Sequence, residues 1–386
     1  MKERKFALLV SVCLVLALAI MPSSGICAPP KPSTIILGTH DLGTGGNRLL
    51  ALCLESMISK YPDIKWRTIP SGVDLARTMM PRTGETITTI HTGGSVWLIQ
   101  EGLSSYAEIE WGPQPIREIY LPAHVGQGFC VKGNSPIKTG YDLKGKTVAT
   151  YPGSPYPTLI NESILAFFGL TWKDVKPVKM SSPPEGYRAI RDGHVDTAFM
   201  NAASSIAVEM ASMPSGIRWI NMPASDKEGW ARVRKVVPVH MPKKKTKGPG
   251  ISEENPIEIM TVAYPEIIAY DKSDTASVYW ITRALIETRA SWEKKHYSLS
   301  TDWKMDVHWS LWEGGITPMH DGAIQYYKEI GQWNDKREKL NQERIQHQKK
   351  LRVYFDEVRD MAQKEKVKAK VFAKYWLEKY NAKYGK

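Results

Sequence analysis

Short apolar runs alternate with longer segments in which apolar residues recur every three or four positions, and the alternation persists from residue 34 to about residue 290. Runs at 35–37, 65–69, 86–90 and 118–121 predict strands. The segments 46–60, 72–80 and the one beginning at 95–100 predict helices between them. A second block opens near Gly126, with strands expected at 128–131, 146–150, 175–180, 196–200 and 217–220 and helices at 157–168, 184–192 and 204–213. The segment 238–256, rich in Pro, Lys and Gly, reads as a loop. Strands at 258–262 and 266–270 and a helix at 274–290 follow. This order predicts an α/β fold, with helices on the faces of largely parallel sheets.

Roughly 300 residues between the N-terminal leader and the charged tail are too many for one small core and suit two domains. Crossings near 123–126 and 238–262 let two lobes share two linkers with a ligand between them. The division expected is 1–28 as leader, 29–124 as lobe 1, 125–238 as lobe 2, 239–331 as the return to lobe 1, and 332–386 as a basic helical C-terminal extension. In that extension Val367, Val371, Tyr375, Phe372 and Trp376 recur at helical spacing. The stripe suits packing on the body of the same molecule, or a docking surface for a partner.

The ends refine this picture. Lys2, Arg4 and Lys5 precede an uncharged apolar run, 6–21, and the small-residue stretch 23–28. That is the layout of a signal peptide, with cleavage after Ala28 or after Gly25 and export to the periplasm expected. The formal charge of +12 at first suggests a nucleic-acid partner, but from Gln332 to Lys386 there are 16 Lys/Arg against 8 Asp/Glu, so most of the excess sits in the tail. No basic groove interleaved with stacking aromatics is evident in the body, and no nucleic-acid partner is expected. Of the four cysteines only Cys53 and Cys130 lie clear of the leader, and two isolated thiols read as buried small hydrophobes. No metal site or cofactor is expected, and the chain is expected to act as a monomer. No G-x-S-x-G elbow or H-E-x-x-H pair is present, and no catalytic residues are assigned. The segment 140–147 fits the Walker A letters, but a turn precedes it and a strand follows, the wrong context for a phosphate loop.

Candidate chemistry concentrates in glycine loops. The stretch 38–47 lies between a strand and a helix, so its N–H groups and the helix dipole offer a site for an anion. Thr39 and Thr44 add hydroxyls beside Gly45 and Gly46, with capping of the helix as the other role open to Thr44. His40 belongs to the same loop, and Asn47 suits either a ligand or the helix turn. Asp41 would repel an anion and suits an ammonium group or solvent. Ser71 and Gly72 end the second strand, and Ser71 also suits a cap. His91 and Thr92 end the third strand. Gly153, Ser154, Tyr156 and Thr158 open the second-lobe helix, and Asn201 ends a strand where α/β proteins often hold ligands.

Several motifs in order resemble one known family. The glycine-rich opening 38–47, Leu143 to Ala149 followed by Pro152-Gly153-Ser154, Gly193 to Phe199, and Ile316 to Glu329 with its His320-Asp321-Gly322-Ala323 and Tyr326-Tyr327 are similar to segments of TAXI-type receptors. These are exported solute-binding proteins of tripartite ATP-independent periplasmic (TRAP) transporters, and the resemblance covers about 34–331. It implies a type II periplasmic binding protein-like fold, two lobes with a hinge. It also implies capture of a small organic anion, a carboxylate or amino acid, for delivery to TRAP membrane subunits driven by an ion gradient. Departures from the family pattern are Pro155 and Tyr156 in the second-lobe loop and His91-Thr92-Gly93-Gly94 after the third strand. The alternatives are a ligand-sensing or scaffold protein of the same fold, or a cleft enzyme acting on a small metabolite.

Overall fold

The computed structural model describes residues 28–122 and 125–384. The expected leader up to Cys27, and His124 in the first crossing, therefore lie outside the described residues. The chain runs through β1 (Thr34–His40), α1 (Gly45–Lys60), β2 (Lys65–Ser71), α2 (Asp74–Thr83), β3 (Thr89–His91), α3 (Gly93–Glu101) and β4 (Ile116–Tyr120). It continues with β5 (Val125–Lys132), β6 (Thr147–Thr150), α4 (Pro155–Phe167), β7 (Lys176–Lys179), α5 (Pro183–Asp192), β8 (Ala198–Asn201), α6 (Ser205–Ser212), β9 (Ile217–Trp219) and α7 (Lys227–Val236). Then come β10 (Met241–Lys245), β11 (Ile257–Val262), β12 (Glu266–Tyr270) and α8 (Thr275–Glu287). The last elements are α9 (Arg289–Trp292), α10 (Tyr297–Asp302), α11 (Met305–Gly314), α12 (Asp321–Glu329), α13 (Asp335–Lys364) and α14 (Ala369–Tyr384).

Two sheets form the two lobes. In the first, β1 and β2 are parallel, Leu37 bridges Thr88 just before β3, and β12 lies antiparallel between β3 and β4. In the second, β5 is antiparallel to β8, β9 and β11, while β6 pairs parallel with β7 and bridges to Thr197 before β8. The sheets are thus mixed rather than wholly parallel, because the crossing strands reverse direction between lobes. Each lobe has its own core. α1 places Leu49, Leu50, Cys53 and Met57 at helical spacing against Ile35 and Leu37 of β1. In the other lobe Phe129, Val148, Ile160, Ile164 and Phe199 pack together. The fold is a two-lobed, periplasmic-binding-protein-like α/β structure with a hinge and additional C-terminal helices.

Three local outcomes differ from the sequence pattern. The expected loop 238–256 contains a strand, β10, which pairs only with β11. A Pro- and Lys-rich strand is tolerated there because it is an edge: Pro242 needs no ladder donor on its open side, and lysines discourage further pairing. β10 and β11 hydrogen-bond into the second sheet, which favours placing the second crossing near 262–266, whereas the expected lobe boundary was 238/239. Within the stripe of the tail, Phe372 and Trp376 are buried, while Val371 is exposed. α14 turns that edge inward because Trp376 donates its indole N–H to the carbonyl of Gly102 (2.7 Å), and Phe372 and Trp376 both pack on Phe355 of α13. Cys53 and Cys130 are both buried free thiols.

Candidate functional site

Besides α2, whose Asp74 and Arg77 line it, four helices bring a cap or first residues to the cleft between the lobes: α1 through Thr44, α3 through Thr92 and Ser95, α4 through Tyr156 and Pro157, and α5 through Pro183 and Pro184. The cleft is closed. Ser154 Oγ donates across it to the Gly72 carbonyl (3.1 Å), and Ser205 Oγ to that of Gly43 (3.1 Å). What remains is a cavity of ≈ 40 Å³, room for a few water molecules at about 10–15 Å³ each. Gly94 permits this approach: a Cβ there would lie 1.8 Å from the Tyr156 ring.

The first-lobe wall is a connected polar network. Thr92 Oγ1 donates to Ser95 Oγ (3.1 Å), which donates to Asp74 Oδ2 (3.0 Å). Asp74 Oδ1 forms an ion pair with Arg77, whose other nitrogen donates to the Ser71 carbonyl (2.7 Å). Both charges are buried, so they are held by each other and by these bonds. Burial, with the Arg77 charge and His91 adding to it, pushes the His40 imidazole well below its ordinary pKa; burial and Arg77 do the same to His91. Both rings are neutral at pH 7. On the other side Tyr156 Oη bonds to His240 Nε2 (2.6 Å), whose Nδ1 meets Ser163 Oγ (3.1 Å). Burial lowers His240 to about 3, so this imidazole too is neutral.

Three polar atoms on the cavity's lining residues have no protein partner: Arg77 Nε, His40 Nε2 and Gln127 Oε1. An N–H of a guanidinium, an imidazole nitrogen and an amide oxygen are what the closed cleft holds unspent. Asp41 and Asp74 also line it, so its fixed charge is not simply positive.

Residues 114–331 match the profile of the NMT1-like family, more than half of the chain. The chain belongs to the NMT1-like family. Over 179 residues it is 26% identical to a putative aliphatic sulfonates-binding protein of Escherichia coli (strain K12), covering 44% of this chain and 50% of that protein. The chain thus spans about half the length of that curated relative. Among solved structures, the periplasmic binding protein BugD superposes with a TM-score of 0.50 at 10% identity, covering 83% of this chain and 98% of its own. The alkanesulfonate-binding protein SsuA of Xanthomonas axonopodis pv. citri, bound to MOPS, does so at 0.42 and 13%, covering 79% and 86%. At such identities the likeness concerns the fold alone.

In this NMT1-like chain the residues singled out by sequence fall into two groups. His40, Thr44, Gly72, Thr92, Tyr156 and Asn201 line the cavity. Thr44 also caps α1, accepting from the Asn47 N–H (3.3 Å) and donating to the Asp41 carbonyl (2.7 Å), so its proton is engaged in this closed state. Asn201 Oδ1 accepts from Ala203 N–H (2.9 Å). The second group is absent from the cavity lining, and protein partners take most of its polar atoms, His91 Nδ1 excepted. Asn47 donates to Thr39 Oγ1 and the His40 carbonyl (both 3.1 Å). Ser71 Oγ accepts from Val73 N–H (3.3 Å). Thr158 Oγ1 accepts from Tyr151 N–H (2.9 Å) and donates to its carbonyl (3.1 Å). His91 lies behind the wall, with Nε2 near Thr78 Oγ1 (3.3 Å). Ser154 joins the lobes, and Gly153, beside it, faces Val73.

The glycine loop also changes meaning. Gly46 N–H donates to Tyr264 Oη (2.8 Å), and a Cβ at Gly46 would lie 2.5 Å from that oxygen. Close packing therefore accounts for part of the glycine content that suggested an anion site. Pro155 and Pro157 in α4, and Pro183 and Pro184 in α5, remove donors from two of the four helix starts. Asp74, Arg77, Gln127 and Tyr264 were not singled out by sequence. Asp74 and Arg77, three apart at the start of a helix after a strand, carried a readable signal; Gln127 and Tyr264 sit on the crossings and carried none.

Proposed function

We propose that the protein is an exported solute-binding receptor that closes its two lobes on a small organic anion, a carboxylate or an amino acid, and presents it to a membrane transporter. The observation that carries this reading is the closed interlobe cavity whose lining includes Arg77, with an unpartnered N–H, and Gln127, with an unpartnered oxygen. Arg77 offers a charge-assisted bond to an anionic oxygen. Gln127, Asp41 and Asp74 offer acceptors to a second, donating group. A ligand with one acidic and one hydrogen-bond-donating end, such as an amino or hydroxy acid, matches both better than a dianion does. Thr44, Thr92, Gly72, Tyr156 and Asn201 complete the proposed pocket. Such a ligand must enter before the lobes meet, and the cavity lining must widen around it, so binding and hinge motion are one event.

Membership of the NMT1-like family and the binding-protein fold support the receptor reading, and the relative named for aliphatic sulfonates keeps sulfonic acids among the candidates. The same fold, and the leader expected at 1–28, support a periplasmic location. For the transporter, the motif resemblance favours TRAP membrane subunits of the TAXI type. Calorimetry against carboxylates, amino acids, alkanesulfonates and neutral sugars tests the ligand class; a neutral sugar as the sole tight ligand would overturn it. Uptake by proteoliposomes holding the cognate membrane subunits tests the partner. Uptake that follows an ion gradient without ATP is expected, and strict ATP dependence would assign an ABC transporter instead.

A further inference from the structure

A second cavity, of ≈ 290 Å³, opens beside the crossings and is separate from the interlobe cleft. Its walls are apolar, with Trp97, Leu311, Trp312 and Val262 prominent. Its mouth is flanked by the exposed side chains of Met241 and Ile316. The ionisable residues among those lining it are two carboxylic acids, Glu118 and Glu266. They come from neighbouring antiparallel strands: Ile268 of β12 pairs with Glu118 of β4, and a register shift between Ile267 and Ile268 falls between that pair and Glu266. Gly93 leaves room for them, since a Cβ there would lie 2.6 Å from Glu266 Oε1. Both acids are buried, and Glu118 Oε2 has no partner.

Two buried acids side by side on the wall of an apolar cavity, one with an unpartnered oxygen, have no cationic side chain in the cavity lining to pair with. We propose that this cavity is a second ligand site that takes a primary organic ammonium ion with an apolar body. The ammonium would sit on Glu118 and Glu266, giving its N–H donors to their oxygens, with the ring or chain between Trp97 and Leu311. An apolar cavity of roughly 150 Å³ already accommodates benzene, so this one has room for a ring and its aminomethyl arm. A divalent metal ion would lack further oxygen ligands, since the rest of the lining is apolar or glycine apart from Thr317.

Binding must release protons. Burial raises both acids, Glu266 to about 8 and Glu118 well above its ordinary value, where the neighbouring Glu266 adds to the shift. Near neutral pH the pair is largely protonated, and a cation must displace that hydrogen. Affinity therefore rises with pH through the folded-state values, by up to about tenfold per pH unit for each proton displaced. Other groups facing the pair do not invert this sign. Arg344 of α13 attracts Glu118 but is bonded to the carbonyls of Thr317 and Glu313. His91 of β3, opposite Glu266, is held neutral, and Tyr156 of α4 is pushed well above its ordinary pKa partly by Glu266. Behind β4, His320 of α12 is lowered to about 4 and Tyr327 is raised.

Benzylammonium and its neutral isostere benzyl alcohol are suitable probes, titrated calorimetrically into the full mature protein at pH 6.5 and 8.5. The expected result is benzylammonium binding at least tenfold tighter at pH 8.5, with a heat that varies with buffer ionisation enthalpy, and benzyl alcohol at least tenfold weaker. The Glu118→Gln/Glu266→Gln double variant should lose both the pH dependence and the preference for the cation. Leu311→Trp, which fills the cavity and leaves the acids in place, should abolish binding even if the double variant does not fold. No binding of benzylammonium, equal binding of the alcohol, or binding that survives Leu311→Trp and is lost in Asp74→Asn would overturn the proposal, the last by placing the cation in the cleft.

Discussion

Gly94→Ala tests whether the closed arrangement is the ligand-holding one. A Cβ at residue 94 would lie 1.8 Å from Tyr156 Cε2 and 2.2 Å from its Cζ. Ordinary carbon contacts need about 3.5–4.0 Å, so the ring or the helix must move by nearly 2 Å. Tyr156 cannot yield freely, because its hydroxyl is bonded at 2.6 Å to a buried His240. Displacing the ring breaks that bond and leaves two buried polar groups unsatisfied, at about 1–3 kcal/mol each. A penalty of about 2–6 kcal/mol on closure lowers ligand affinity about 30- to 20,000-fold. The open form lacks the clash, so the unliganded protein should fold with a similar melting temperature and a larger radius of gyration. The assay is calorimetry with whichever acid binds the wild type, paired with small-angle scattering with and without it. Wild-type affinity and full ligand-induced compaction in Gly94→Ala would refute the reasoning.

Three further outcomes follow from named contacts. Arg77→Met leaves the Asp74 carboxylate buried without its partner, so urea unfolding should show a loss of about 3–5 kcal/mol; adding Asp74→Asn should restore most of the stability while anion binding stays lost. For Glu118 and Glu266 the folded pKa is raised above the unfolded value of 4.5, so their stability contribution is complete below that value and is lost as pH rises through about 8. The buried imidazoles His40, His91, His240 and His308 act oppositely, destabilising the fold as pH falls below 6.5. The melting temperature of wild type should therefore fall between pH 6.5 and 8.5 relative to Glu118→Gln/Glu266→Gln, and parallel curves would refute it. Trp376→Ala removes the indole that bonds Gly102 and packs on Phe355, and should cost about 3–5 kcal/mol in denaturant titrations.

The α/β alternation, the two-block organisation and most helix positions were legible in the chain before any fold was known. Each of those rests on local periodicity: Leu49, Cys53 and Met57 must share a face whatever they meet. Glycines and hydroxyls at strand ends also marked half of the cleft, because they advertise helix N-termini. How those hydroxyls and N–H groups are used depends on the packed fold. Thr39 and Asn47 bond to each other, Gly46 serves Tyr264, and Ser154 reaches Gly72 in the other lobe. The edge strand at Met241–Lys245 was illegible because its Pro and Lys residues fit an edge as well as a loop. Arg77, Gln127 and Tyr264 became one site through two crossings that bring together residues nearly two hundred positions apart, and the meeting of Glu118 with Glu266 depends on strand register. Register and closure are set by the packing of whole lobes, which no local pattern encodes.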